Sequence, residues 1–203
     1  MNFWDFCAPM YDFFQRFNGK SYKQMIETVH NVIPSGASVL EVAAGTGAIS
    51  LAVAEKAEAV RCTDLSERML SVAGKKAKKR NVTNISFGKL DIFDIDEPEN
   101  AVSAVIAGLV LHLIPEPEKA AAELRRVAKD LVILPMIFTA NLRGSAKLKI
   151  NLYRLFGFAP KAEFDPKSYA EFLPKIGFEN CEIVQIPGEM PMAVAIWRKG
   201  GKV

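Results

Sequence analysis

Between Glu41 and Gly47 the chain reads Glu-Val-Ala-Ala-Gly-Thr-Gly, which sets one carboxylate and two glycines in a short run after an apolar stretch. Gly45 and Gly47 lack a β-carbon, so a ligand can approach the backbone closely. A helix starting near Ala48 would offer free N–H groups and the positive end of its dipole to a carboxylate. Glu41 sits at a strand end, where a carboxyl group must be paired or hydrogen-bonded. It can accept from loop amides or, through water, from a ligand amino group. Asp64 lies nineteen residues after Gly45, at the close of a second strand. A carboxylate there can take both hydroxyls of a ribose. It can equally cap the next helix, a task open to Ser66 as well. Asp91 follows a third strand and can accept from an adenine amino group, with Asp94 and Asp96 competing for that role. Leu65, Met69, Leu90 and Ile92 can flank a ring. Gly108 ends a fourth strand and permits another close approach, with Leu109 and Val110 as wall. Such a set suits a nucleotide-like cofactor. The glycine spacing is not the Gly-x-Gly-x-x-Gly of dinucleotide sites.

His112 is one of two histidines. Its pKa range suits proton transfer near neutrality, whereas a histidine opening a helix can also be structural. His30 falls mid-helix and reads as a surface or packing residue.

The elements that must position these groups follow from periodicity. Residues 2 to 33 read as helical, with Phe3, Phe6, Met10, Phe13, Phe14 and Phe17 at spacings of three and four. Asn18-Gly19 breaks this run, and a second helix covers Ser21 to Val32. Strands are expected at Ser38–Val42, Ala59–Cys62, Thr83–Phe87, Ala101–Ala107 and Leu131–Phe138. Helices are expected at Thr46–Glu55, after Ser66, and at Glu116–Ala128. This alternation is that of a parallel sheet covered on both faces. Residues 139–167 form a long excursion. A helix from Ser168 to Ile176 and strands at Glu182–Ile186 and Met192–Trp197 follow, the last two as an antiparallel hairpin at a sheet edge. Residues 199–203 read as a loose tail.

The chain has 203 residues, half of them apolar and about a quarter charged, with a formal charge of +3. That is the composition of one globular unit. The charge is too small to point to nucleic acid by itself. Cys7, Cys62 and Cys181 stand far apart, against a disulfide framework or a zinc site. With no visible signal peptide and no stretch of membrane-span length, a cytoplasmic setting is expected.

The glycine loop, the segment Asp64-Leu65-Ser66-x-x-Met69-Leu70, Asp91, Leu111-His112 and the pair Tyr11-Asp12 together resemble the class I S-adenosylmethionine-dependent methyltransferases. Within them the chain resembles the type 11 and quinone-biosynthesis branch. The resemblance covers about residues 9 to 138, and the carboxyl-terminal hairpin in architecture. It implies an α/β Rossmann-like fold, with a mostly parallel seven-stranded sheet, a carboxyl-terminal antiparallel hairpin and a helical cap. It implies one domain over 1–203: a cap at 1–33, a cofactor-binding core at 34–138, a substrate lid at 139–167 and a last helix and hairpin at 168–198. The implied cofactor is S-adenosyl-L-methionine, held by Tyr11, Glu41, Ala43, Gly45, Gly47, Asp64, Leu65, Met69, Asp91, Ile92 and Gly108. Candidates beside the methyl group are His112, Tyr11 and Tyr22, with no metal. The chain departs from the family at Ala43, where glycine is usual, at Lys89, where a small residue is usual, and at Ala101–Ser103, which lack the customary aspartate.

The implied activity is direct methyl transfer to an O, N, S or C atom of a small molecule. The alternative is a lipid, quinone or phospholipid head group at a membrane surface. RNA or protein methylation needs a broader basic face, and no nucleic-acid partner is expected. A catalytically inactive cofactor-binding subunit is a further rival, and the oligomeric state is open. Residues 139 to 162 carry Arg143, Lys147, Lys149, Arg154 and Lys161 and no acid, with Leu142, Ala146, Ile150, Tyr153 and Phe156 near helical spacing. Three readings stand for this segment. It packs on the sheet with a solvated basic face, it meets an anionic or amphiphilic substrate, or it makes peripheral contact with a membrane or partner protein. The run Lys75 to Arg80 reads as an exposed helix end.

Overall fold

The computed structural model describes residues 3–8, 11, 19–155 and 159–201. Met10, Asp12, Phe13, Phe14, Phe17 and Phe156, singled out above, lie outside them. Helices α1 (Phe3–Cys7) and α2 (Gly19–Val32) precede the core. It continues as β1 (Ser38–Val42), α3 (Ala48–Val53), β2 (Ala59–Asp64), α4 (Glu67–Lys79), β3 (Ile85–Lys89), β4 (Val102–Ala107), α5 (Pro117–Val127) and β5 (Ala128–Ile137). Then come α6 (Gly144–Leu155), α7 (Pro166–Lys175), β6 (Glu182–Ile186) and β7 (Met192–Arg198).

The seven strands lie in the order β3-β2-β1-β4-β5-β7-β6. β1 to β5 pair in parallel, and β7 runs antiparallel to both β5 and β6. This is the Rossmann-like methyltransferase fold with its edge hairpin.

Strand pleating sorts side chains onto two faces. Leu40, Val42, Val105 and Ala107 pack with Ala120, Ala121 and Leu124 of α5 and Tyr169 and Leu173 of α7. Their neighbours Val39, Ala104 and Ile106 pack with Met25 and Val29 of α2 and Ile49 and Val53 of α3. Glu41 shares the parity of Val39, so its carboxyl points to the α3 side. The inner strands β1, β4 and β5 are almost wholly buried, as expected where helices cover both sides.

Several boundaries differ from the expected ones, and the larger shifts have local reasons. The third strand starts and ends two residues later than expected, because Thr63 and Asp64 continue to pair, with Gly88 and Lys89. Asn84 turns instead to donate to the Ala54 and Ala57 carbonyls, both at 2.9 Å. The helix expected from Thr46 begins at Ala48, because Gly47 is its N-cap in the left-handed region (φ 70°). The fifth strand begins at Ala128, directly on the end of α5, because Ala128 pairs with Val102 across an irregularity in the β4 register. The late helix starts at Pro166, ahead of Ser168. Asp165 and Ser168 form a reciprocal capping box there, and proline suits the first helical turn.

Candidate functional site

Parallel α/β sheets collect ligands beyond the carboxyl ends of their strands, where successive loops diverge. Here the ends of β1, β2, β3 and β4 surround a cleft of about 840 Å³ including its open mouth. One wall is Ala43, Gly45, Asp64, Leu65 and Met69. The next is Leu90 to Phe93, and the far wall is Gly108, Leu109, Val110, Leu113 and Ile114. Trp4 and Tyr11 close it from the amino-terminal side, their rings edge to face at 6.2 Å.

The β1 loop and the β2 end form one hydrogen-bonded unit. Asp64 Oδ2 accepts from the Gly45 amide and Oδ1 from the Ser66 amide, each at 2.8 Å. Ala44 N–H donates to the Thr63 carbonyl at 2.9 Å, and Thr63 Oγ1 donates to the Glu41 carbonyl at 2.8 Å. A carboxylate offers about four lone-pair sites. Two are filled by amides, which leaves each oxygen one more acceptor position. Burial raises the Asp64 pKa, the two amides counter it, and Asp5 adds to the rise. Asp5 is close because Ser66 Oγ donates to its Oδ1 at 2.6 Å, which fastens α1 over the start of α4. Ser66 also caps α4 by accepting from the Met69 amide at 3.2 Å.

The glycines serve different needs. Gly45 adopts φ 55° beside the Tyr11 ring, whose nearest atom would lie 3.7 Å from an added β-carbon. Gly47 adopts φ 70°, and a β-carbon there would come within 2.9 Å of Ala73 Cβ. Gly47 thus lets the loop press against α4. Ala43 holds φ 51° with a β-carbon, a left-handed conformation that costs a non-glycine residue on the order of 1 kcal/mol. At the cleft floor, a β-carbon on Gly108 would meet Ile49 Cδ1 at 2.9 Å.

Asp91 is exposed at the cleft rim, and its Oδ1 accepts from the Phe93 amide at 3.0 Å. That turn sets Ile92 and Phe93 against the apolar side of the cleft. At the opposite end, Leu109 adopts φ 55° and its amide donates to the Pro135 carbonyl at 2.9 Å. A turn closed by Leu113 N–H on the Val110 carbonyl (2.8 Å) sends Val110, Leu113 and Ile114 toward the cleft.

Of the residues singled out in the sequence, the fold brings Tyr11, Ala43, Gly45, Asp64, Leu65, Met69, Asp91, Ile92 and Gly108 to one cleft. Glu41, Gly47, His112 and Tyr22 are not among its lining residues. Glu41 is 2% exposed and accepts a short hydrogen bond from Ser50 Oγ. Burial pushes its pKa up to about 8. His112 is also 2% exposed and burial brings its pKa down to about 4, so the ring is neutral at pH 7. The His112 carbonyl accepts from the Lys161 and Ala162 amides at 2.8 and 3.2 Å, tying the far wall to the segment returning from α6. Tyr22 packs on the α2 side of the sheet. Sequence reasoning did not place Phe93, Leu113 or Ile114 at the site. The signal that could have found Trp4 is its place between Phe3 and Phe6 in an aromatic amino-terminal run.

Residues 39–130 match the family described as methyltransferase domain. The chain is 31% identical over 121 residues to phosphatidylethanolamine N-methyltransferase of Cereibacter sphaeroides, covering 59% of this chain and 58% of that protein. It is 28% identical over 145 residues to demethylmenaquinone methyltransferase of Listeria welshimeri, covering 69% and 61%. The chain thus spans about three fifths of the length of these curated relatives. A SAM-dependent methyltransferase from Aquifex aeolicus superposes with a TM-score of 0.67 at 22% identity, over 92% of this chain and 97% of that one. The fold is that of the class I methyltransferases, and S-adenosylmethionine is the cofactor that such a domain takes.

Proposed function

We propose that this chain transfers a methyl group from S-adenosylmethionine to an amphiphilic acceptor of the lipid or quinone class. The observation that carries the reading is the division of the cleft. Its Asp64 end is polar and fixed, with both carboxylate oxygens positioned by loop amides and each still able to accept. Its β4 end is a wall of Leu109, Val110, Leu113 and Ile114. In this reading Asp64 takes the ribose hydroxyls and Leu65, Met69, Leu90 and Ile92 sandwich the adenine. Asp91 receives the adenine amino group, while Gly45 and Gly108 border the methionine portion. Ala43 and Tyr11 close the cleft beside it. Gly47 and Glu41 act from behind, the one by seating the loop on α4 and the other by bonding Ser50 at the start of α3.

The cofactor's sulfonium supplies an already activated methyl group. The protein's part is to orient the acceptor and keep water away. The titratable residues lining the cleft are Tyr11, Asp64 and Asp91, and of these Tyr11 belongs to the aromatic closure. Tyr11 is therefore assigned the contact with the acceptor. His112 is assigned a positioning role for the far wall, since its ring stays neutral and its carbonyl holds residues 161 and 162. Tyr22 is assigned to the packing of α2.

The relatives support the acceptor class, because they are named for a phospholipid and a quinone substrate. The test is incubation with methyl-labelled S-adenosylmethionine and a membrane lipid extract dispersed in detergent, with a water-soluble metabolite extract in parallel. Label in a lipid or quinone fraction, located by mass spectrometry, is the expected result. Label confined to the water-soluble fraction, or to no fraction, overturns the acceptor class.

A further inference from the structure

The helix α6 has apolar residues on two opposite sides. Ala146 and Ile150 face inward and join the core of the α2 side, with Met190 and Met192. Leu148 and Leu152 face outward, 72% and 47% exposed. They are four residues apart and so lie one above the other on a helix. Nothing on the inner face explains them, and the sequence pattern alone marks only the inner stripe.

The charges around this outer stripe are of one sign. Residues 139 to 162 contain no acid. Lys149 is engaged with Glu189 at 2.6 Å and Arg154 with Glu163. These pairs, with Ser145 on Glu189, fix α6 against the β6–β7 turn and the segment before α7. Arg143 and Lys147 are exposed and take part in none of the ion pairs among the described residues. Two leucines make a patch far smaller than the roughly 800 Å² per partner of a stable protein interface. A pair of leucines flanked by cations matches the boundary of an anionic bilayer, where apolar insertion and headgroup charge act together. The place also fits. α6 follows the carboxyl end of β5, at the same end of the sheet as the cleft. Leu109, which lines the cleft, packs in the core cluster that holds Ala146 and Ile150.

We propose that the outer face of α6 seats on an anionic lipid surface, with Leu148 and Leu152 entering the headgroup boundary and Arg143 and Lys147 meeting lipid phosphates. The inference deepens the amphiphilic-acceptor reading, on which it rests for its purpose: it brings the cleft to a membrane where such an acceptor resides.

Vesicle co-sedimentation tests it, with vesicles of phosphatidylcholine and phosphatidylglycerol in equal parts and of phosphatidylcholine alone. The unmodified chain should sediment with the mixed vesicles and not with the neutral ones. Leu148→Ser with Leu152→Ser should weaken that binding by roughly tenfold or more. Arg143→Glu with Lys147→Glu should also weaken it by at least roughly tenfold, on a scale of about fivefold per basic residue. Lys75→Glu with Lys78→Glu, at the basic end of α4, should leave it within about twofold, since electrostatic attraction acts only near the surface. Equal loss from the α4 variant, unchanged binding by the leucine variant, or no binding by the unmodified chain overturns the proposal. A wild-type dimer that becomes monomeric in the leucine variant, seen by sedimentation velocity without vesicle binding, overturns it in favour of self-association. Labelled methyl transfer to detergent-dispersed acceptor, and S-adenosylhomocysteine affinity, should be unchanged in the leucine variant. Vesicle binding without any methyl transfer would remove the acceptor reading and leave the docking face standing. Transfer without vesicle binding would remove only the docking face.

Discussion

The two ends of the cleft are built by different means. At the β2 end, Asp64 is bonded to Gly45 and Ser66, and every partner lies in the β1 loop or the turn that follows Asp64. At the β4 end, the wall is a turn that starts with Leu109 in a left-handed conformation and is tied to distant chain: Pro135, Lys161 and Ala162. The buried titratable groups behind the two ends differ in the same way. Glu41, behind the first, is raised to about 8, and His112, behind the second, is lowered to about 4. Both are thereby mainly uncharged near pH 7. The Asp64 end is held by hydrogen bonds between the β1 loop and the end of β2, and the β4 end by hydrogen bonds to β5 and to the segment before α7.

The opposite shifts give opposite pH slopes. Glu41 ionises near 4.5 when unfolded and near 8 when folded, so the folded state holds more protons in between. Stability from this group falls as pH rises through that window. Glu41→Gln should remove the slope and raise stability at pH 8 by on the order of 3–5 kcal/mol, read by urea unfolding at pH 5 and 8. His112 binds its proton near 6.5 when unfolded and near 4 when folded. Its contribution is present above 6.5 and lost as pH falls toward 4, and His112→Gln should flatten that slope by about 3 kcal/mol. Slopes of the same sign in the two variants would break the contrast.

Asp64→Ala removes the acceptor of two loop amides as well as the group assigned to ribose. Affinity for S-adenosylhomocysteine should fall by roughly 100-fold or more, on the scale of about 3 kcal/mol for a lost charged hydrogen-bond partner. Calorimetry reads the affinity, and an unchanged value would sever Asp64 from the cofactor. Gly47→Ala places a β-carbon 2.9 Å from Ala73 Cβ at a positive φ. A loss of about 2 kcal/mol in unfolding free energy is expected. The smallest effect is at Ala43, where Ala43→Gly relieves φ 51°. A gain of about 1 kcal/mol in denaturant unfolding is expected, and a loss would mean that the alanine methyl packs better than the strain costs.

The same division governs what the sequence made readable. The strand alternation, the glycine loop and Asp64 are local patterns of residue type and spacing, and the fold puts them together at one cleft. Trp4 reaches that cleft through the docking of α1 on the start of α4, a contact that no local period encodes, and Phe93 through the turn closed on Asp91. His112 shows the reverse case. Its position after β4 matches the family pattern, yet the turn begun at Leu109 sends Val110 and Leu113 to the cleft and buries the imidazole. The outer stripe of α6 escaped because Leu142, Ala146 and Ile150 already satisfied the helical period, and only the packed helix shows that Leu148 and Leu152 face away.

In the proposed function one cleft holds the cofactor at its Asp64 end and the acceptor at its β4 end. A crystal structure of the chain with S-adenosylhomocysteine and a short-chain phospholipid tests it most directly. Ribose hydroxyls on Asp64, adenine between Leu65 and Ile92, and the sulfur aimed at the wall of Val110 and Leu113 are the expected result. Adenosine bound elsewhere, or with its ribose away from Asp64, would contradict it.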